Sequence, residues 1–175
     1  MRGRVGGMSE ITPAQLLLNQ AIALAADIHQ GQVRREPDGR PYICHVLDVV
    51  NALPKDDHQA RLVAALHDTI EDAAALNDDA STAQLKRDKV EARIRSLGVG
   101  EEVLDAVKAI SHLGATGGQS EYLAYVREKV KPNALARRVK IIDNYVNMKD
   151  LVGASEAQRA RLHKYAQSIA ILTSE

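Results

Sequence analysis

Ala64-Ala65-Leu66-His67-Asp68-Thr69-Ile70-Glu71-Asp72 sets an imidazole and three carboxylates side by side in one short run. Read as helix, residues four apart lie one above the other, so His67 faces Glu71 and Asp68 faces Asp72. Like charges crowded in this way are destabilising unless a cation, basic side chains or protonation relieves them. The string therefore marks either a metal or acid–base site or, in the plainer reading, a solvated acidic helix end. Leu62, Val63, Leu66 and Ile70 recur at helical spacing through the same stretch, which sets the polar face beside a buried stripe. Partners elsewhere in the chain decide between the two readings.

Composition narrows the fold. The 175 residues suffice for one domain with a substantial core. Hydrophobic residues make up 45%, yet Trp and Phe are absent and only five Tyr occur. Ala, Leu, Val and Ile in that balance suit packed helices better than sheets, which favour aromatics. The expected fold is all-α, a single-domain bundle of about eight helices. Lys plus Arg equals Asp plus Glu at 23 each, so no global charge calls for nucleic acid or an anionic membrane. One cysteine, Cys44, and no signal peptide or long apolar run fit a cytoplasmic protein.

Outward from the opening stretch, each flank reads as helix. Thr12-Pro13 caps a first helix carrying Leu17, Ala21, Leu24 and Ile28. Residues 1–11 lack an apolar period and are expected to form a mobile arm, with the bundle over 12–175. His29 reads as a favourable cation at that helix's C-terminus. The loop 31–40 carries Arg34 and Arg35, solvated if alone but able to grip phosphate or stack on a base beside an anion site.

Pro41 opens a second helix with Val46, Val49, Val50 and Leu53 buried and His45 in its first turns. Cys44 reads as an inert buried hydrophobe. A third helix is expected from Asp57 through Asp72. A loop with Asp78 and Asp79 as cap then leads to a polar helix ending at Leu97. Val103 to Ile110 mark the next helix; His112 reads as a surface or capping residue after it. The segment 114–118 is Gly-rich but lacks the Lys-Ser/Thr ending of a phosphate loop. A shorter helix holds Tyr122, Leu123, Val126 and Val130. Pro132-Asn133 begins a long one with Leu135, Val139, Ile142 and Val146 inside. Asp143, Asn147 and Asp150 form a second, polar stripe on that helix, short side chains that suit a site wall better than solubility. The last helix, 156–173, reads as packing alone.

The motifs in order resemble the HD-domain phosphohydrolases: a histidine, then a His-Asp pair, then a distant aspartate, here His45, His67-Asp68 and Asp143. The likeness is closer than the superfamily. Ala25-Ala26-Asp27-Ile28-His29-Gln30-Gly31-Gln32, Gly39-Arg40-Pro41-Tyr42-Ile43-Cys44-His45, the opening stretch, and Val139 to Met148 are together similar to the hydrolase domain of Rel/SpoT-type alarmone enzymes and their small stand-alone relatives. The resemblance covers residues 14–152.

That resemblance implies His45, His67, Asp68 and Asp143 as ligands of a divalent ion, Mn²⁺ by family habit, with other divalent ions open. It implies Glu71 and Asp72 as the groups that handle the water and the leaving group, and Arg34, Arg35 and Asn147 as contacts to the nucleotide. The implied reaction removes a 3′-pyrophosphate from a guanosine nucleotide, so the expected partner is a small nucleotide; oligomeric state stays open. Another nucleotide as substrate, or a non-catalytic nucleotide-binding regulatory module, are the alternatives; Glu71 and Asp72 speak for catalysis. Three departures bear on substrate. The segment 111–118 lacks the family's lysines, the stretch 73–98 is longer than usual, and Asp150 stands where a small hydroxyl residue is common.

Overall fold

The computed structural model describes residues 10–34, 39–75, 77–113, 118–153 and 155–175. Residues 1–9 of the expected arm over 1–11, Arg35, the turn residues Pro37 and Asp38, and residues 114–117 of the glycine-rich stretch lie outside them. The described residues form eight α-helices and a π-helical turn, with no strand beyond one isolated bridge between Val33 and Pro41.

α1 (Pro13–Ile28) starts at a reciprocal cap. Gln15 N–H donates to Thr12 Oγ1 at 3.2 Å, while Thr12 N–H donates to Gln15 Oε1 at 2.8 Å. Its buried face is Leu18, Ala21, Leu24 and Ala25, rotated slightly from the expected stripe; Leu17 is only half-buried. α2 (Ile43–Ala52) begins two residues after Pro41 because Pro41 is engaged in the bridge. Tyr42 N–H donates to Gln32 O at 3.0 Å and Arg34 N–H to Arg40 O at 2.9 Å, closing the loop between α1 and α2. Cys44 is half-buried, more open than a core residue.

α3 (His58–Leu66) is the central helix, packed against α1, α2, α5 and α7. Ala60 and every residue from Leu62 to Leu66 are buried, as a helix enclosed on all sides requires. Burial of each large side chain here contributes about 2 kcal/mol, which offsets the cost of the charges the helix delivers at its end. The helix stops at Leu66, not at Asp72. Thr69 is the cause: its N–H and its Oγ1 both donate to Leu66 O, at 3.0 and 2.7 Å, and so divert that carbonyl from Ile70. Residues 67–73 continue as turns, with Asp72 N–H still donating to Asp68 O at 2.9 Å.

α4 (Ala80–Ser96) is capped by Asp79, whose carboxylate accepts from Ser81 and Thr82 N–H, as expected. α5 (Glu101–Ile110) packs against α3 and α7. α6 (Gly118–Tyr125) widens at once into the π turn Val126–Val130, whose end bonds Lys131 N–H to Val126 O at 2.9 Å. The wider turn aims Tyr125 back at the end of α5, where its hydroxyl donates to Ile110 O. α7 (Ala134–Lys149) starts at Asn133 and lies between α3 and α8 (Glu156–Thr173).

The buried face of α7 is more polar than its apolar spacing suggests. Lys140, Asp143 and Asn144 are buried, whereas Ile142 and Val146 are only half-buried. Asn144 is satisfied there: it accepts from Tyr122 Oη at 3.3 Å and donates to Ser168 Oγ of α8 at 2.8 Å.

Candidate metal centre and its acid–base flanks

Three elements bring the predicted ligands to one buried point. His45 comes from the first turn of α2, His67 and Asp68 from the turn that ends α3, and Asp143 from the middle of α7. His45 Nε2 is 3.1 Å from Asp143 Oδ1 and 3.9 Å from Asp68 Oδ2. His67 Nε2 is 2.8 Å from Asp68 Oδ2 and 3.7 Å from Asp143 Oδ1. One donor atom each from His45, His67 and Asp143 lies within 4.8 Å of the others, and all three residues are buried. Asp68 joins at the edge of that trio.

The neighbours aim these atoms. His67 Nδ1 sits 2.8 Å from Ala64 O; a carbonyl only accepts, so Nδ1 carries the proton and Nε2 faces the carboxylates. His67 Nε2 makes no aligned hydrogen bond despite its closeness to Asp68. Tyr42 Oη donates to Asp68 Oδ2 at 2.6 Å, Lys140 Nζ lies 3.0 Å from Asp143 Oδ2, and Asn147 Nδ2 donates to Asp143 Oδ1 at 2.6 Å. Two imidazoles and two carboxylates with supported orientation fit a divalent ion of the borderline class.

Electrostatics agree. Burial alone would lower the His67 pKa, but the Asp68 carboxylate, followed by Asp143, pushes it up to about 9. Burial would raise Asp143, yet Lys140, His45 and His67 hold it well below the usual carboxylate range. A protonated imidazole and a divalent cation are alternative reliefs of the same negative charge.

Glu71 and Asp72 do not stack over the ligands as a continued helix would have them; they diverge. Glu71 Oε2 accepts the His112 N–H at 2.8 Å, on the side of α5. Asp72 Oδ2 lies 3.5 Å from His29 Nδ1, on the side of α1. Both carboxyl pKa values are raised, chiefly by burial and next by Asp68, with Asp72 reaching about 7. Buried carboxyl groups with raised pKa values suit acid–base work.

His29 departs from expectation. It is buried against the Tyr42 ring, 4.7 Å between centroids, and burial lowers its pKa, so it is no surface cation. His112 is no plain surface residue either, since its ring stacks on Tyr125 at 4.4 Å.

Arg34 and Asn147 meet directly: Arg34 Nη2 donates to Asn147 Oδ1 at 3.0 Å and lies 3.5 Å from Asp150 Oδ2. Arg34 Nη1 is buried with no hydrogen-bond partner among the described residues. Both line a cavity of about 540 Å³ with Tyr42, Asp72 and Arg161. Lys140 and Asn144 are the residues the sequence reading passed over. Ala136, Val139, Lys140, Asp143 and Asn147 share one helical face, a spacing that identifies Lys140, and Asn144 lies one turn beyond Lys140.

An all-helical bundle that converges a histidine, a His-Asp pair and a distant aspartate is the scaffold of an HD-type hydrolase. No family model matches the chain. It is 32% identical to the guanosine-3′,5′-bis(diphosphate) 3′-pyrophosphohydrolase MESH1 of Mus musculus over 145 residues, covering 79% of this chain and 70% of the relative. With the GTP pyrophosphokinase of Myxococcus xanthus it shares 28% over 148 residues, 83% of this chain but only 18% of that protein. The solved structure of a metazoan ortholog of SpoT that hydrolyses ppGpp matches with a TM-score of 0.67 at 20% identity, covering 95% of this chain and 89% of the other. The chain belongs to the family of guanosine-3′,5′-bis(diphosphate) 3′-pyrophosphohydrolases that includes MESH1. It spans about a fifth of the longer relatives it matches.

Proposed function

We propose that the chain hydrolyses the 3′-diphosphate of guanosine 3′,5′-bis(diphosphate), releasing pyrophosphate and leaving GDP, with residues 12–175 as the catalytic unit. The observation that carries this is the convergence of His45, His67 and Asp143 donor atoms within 4.8 Å, flanked by two carboxyl groups of raised pKa.

His45, His67, Asp68 and Asp143 would hold a divalent ion, Mn²⁺ by family habit. Such an ion acidifies a coordinated water and neutralises charge at phosphorus. Glu71, fixed by the His112 N–H, takes the proton of the attacking water as its oxygen bonds the nearer phosphorus. Asp72 lines the Arg34–Asn147 cavity where the nucleoside sits, and donates a proton to the ribose 3′-oxygen as the P–O bond breaks. Arg34 meets the nucleotide through its unpartnered buried Nη1, and Asn147 turns between Asp143 and the sugar. Arg35 is one residue further along that loop and is proposed as a second cationic contact.

The test is Mn²⁺-dependent hydrolysis of a panel of ppGpp, pppGpp, adenosine analogues, NADPH and dNTPs, with Asp68→Ala as control. Release of pyrophosphate from ppGpp by the wild type alone is the expected result. Turnover confined to a nucleotide without a 3′-diphosphate would overturn the substrate, and no turnover of any member with the ion bound would overturn catalysis.

Tyr42 gives a separate check on the ligand set. Its hydroxyl is the hydrogen-bond donor that orients Asp68, so Tyr42→Phe should weaken Mn²⁺ binding about tenfold by calorimetry while the chain stays folded.

A further inference from the structure

Two cavities flank the imidazole–carboxylate cluster, and Arg161 lines both. The first is the 540 Å³ cavity of Arg34, Asp72 and Asn147. The second, of about 350 Å³, is bounded by His112, Gln119, Tyr122, Arg161 and Lys164. Its walls reach back to the reacting centre: Tyr122 Oη donates to Asn144 beside Asp143, and the His112 N–H donates to Glu71. The two cavities thus lie on the Asp72 side and the Glu71 side of one site.

The second cavity is cationic. Arg161 and Lys164 are three apart on α8 and so share a face. Lys164 Nζ rests 4.6 Å from the Tyr122 ring centroid and 4.9 Å from that of Tyr165, which holds the ammonium at the cavity wall. Lys140 Nζ stands on Tyr122 as well, 6.0 Å from its centroid. Burial, then the charges of Lys140 and Arg161, lower the Lys164 pKa. The neighbouring segment 111–118 has no Lys or Arg, so the positive charge here comes from α8.

We propose that Arg161 and Lys164 form the subsite for the distal phosphoryl group of the substrate's 3′-diphosphate, selecting a diphosphate over a monophosphate at the cleaved position. This rests on the hydrolase reading above. With the nucleoside against Arg34 and Asn147 and the attacked phosphorus at His45, His67 and Asp143, the remaining phosphoryl extends past Arg161 into the second cavity. The last helix is then part of the binding machinery as well as packing. Guanidinium and ammonium groups match the charge and acceptor geometry of a terminal phosphoryl.

The experiment uses the full chain loaded with Mn²⁺ and the variants Arg161→Gln, Lys164→Gln, their double, and Lys164→Arg. KM for ppGpp and the inhibition constant of inorganic pyrophosphate should each rise about tenfold in either Gln variant, with kcat falling by less. Inhibition by orthophosphate should stay as in the wild type, and Lys164→Arg should recover most of the loss. Unchanged pyrophosphate inhibition in the double variant overturns the proposal. So does a raised KM for ppGpp with unchanged pyrophosphate inhibition, which would move the pair to the 5′-diphosphate. Should the wild type turn over no 3′-diphosphate nucleotide, the hydrolase reading fails on its own. Calorimetry of pyrophosphate with the Mn²⁺-loaded proteins then still decides the subsite, weaker binding by the variants supporting it and equal binding overturning it.

Discussion

Asp143→Ala should abolish turnover by more than about a thousandfold and also lower the melting temperature of the metal-free chain. The first effect follows from its place in the buried trio, its Oδ1 3.1 Å from His45 Nε2 and 3.7 Å from His67 Nε2. The second follows from Lys140, buried and only 3.0 Å from Asp143 Oδ2. Removing one member of a buried pair strands the other charge, which costs roughly 3–5 kcal/mol. In a chain of this size that is a drop of about 10 °C. Asp143→Asn combined with Lys140→Met removes both charges, and the same reasoning gives recovery of most of the stability with none of the activity. Thermal melts with and without Mn²⁺, beside pyrophosphate release, check both halves. A double variant as unstable as Asp143→Ala would show that Lys140 is not the source of the loss.

The dual role of Asp143 also explains what could be read from the chain and what could not. His45, His67-Asp68 and Asp143 are widely separated, yet their order and their places on apolar helices were legible, because helical periodicity is local. So were the caps at Thr12 and Asp79, where a side chain satisfies N–H groups two or three residues on. The early end of α3 was not. It turns on Thr69 capturing the Leu66 carbonyl, and an apolar run that continues to Ile70 hides that competition. His29 and Glu71 were misplaced for another reason. Their settings are made by Tyr42 and His112, residues that periodicity does not bring near them. The same holds for α8, whose Arg161 and Lys164 look like solvated charge until the cavities appear.

Asp72→Asn should trade activity for stability. The folded chain holds this carboxyl up to about 7, through burial first and then repulsion by Asp68 and Glu71, against an ordinary value of 3.8. A group whose folded pKa is raised favours the folded state while protonated. Below its unfolded pKa both states hold the proton and no pH-dependent cost arises. Between the two values the unfolded chain releases a proton that the folded chain keeps, so stability falls as pH rises; above about 7 the full cost is present. The whole rise corresponds to about 4 kcal/mol. A third of the side chain is open to solvent, and screening trims this to about 1–2 kcal/mol. Asn imitates the protonated form, so the metal-free variant should melt above the wild type at pH 8, with the gap closing toward pH 4. Saturating Mn²⁺ should narrow the gap as well, since the cation relieves the repulsion from Asp68. Turnover should drop by about a hundredfold or more, because Asn has no proton to give the leaving 3′-oxygen, and the limb of the kcat profile that declines as Asp72 ionises should disappear. Melts at pH 5 and pH 8 beside a kcat–pH profile test both parts. A variant less stable than the wild type at pH 8 would refute the crowding of Asp68, Glu71 and Asp72, and a retained basic limb would take the proton-donor role from Asp72.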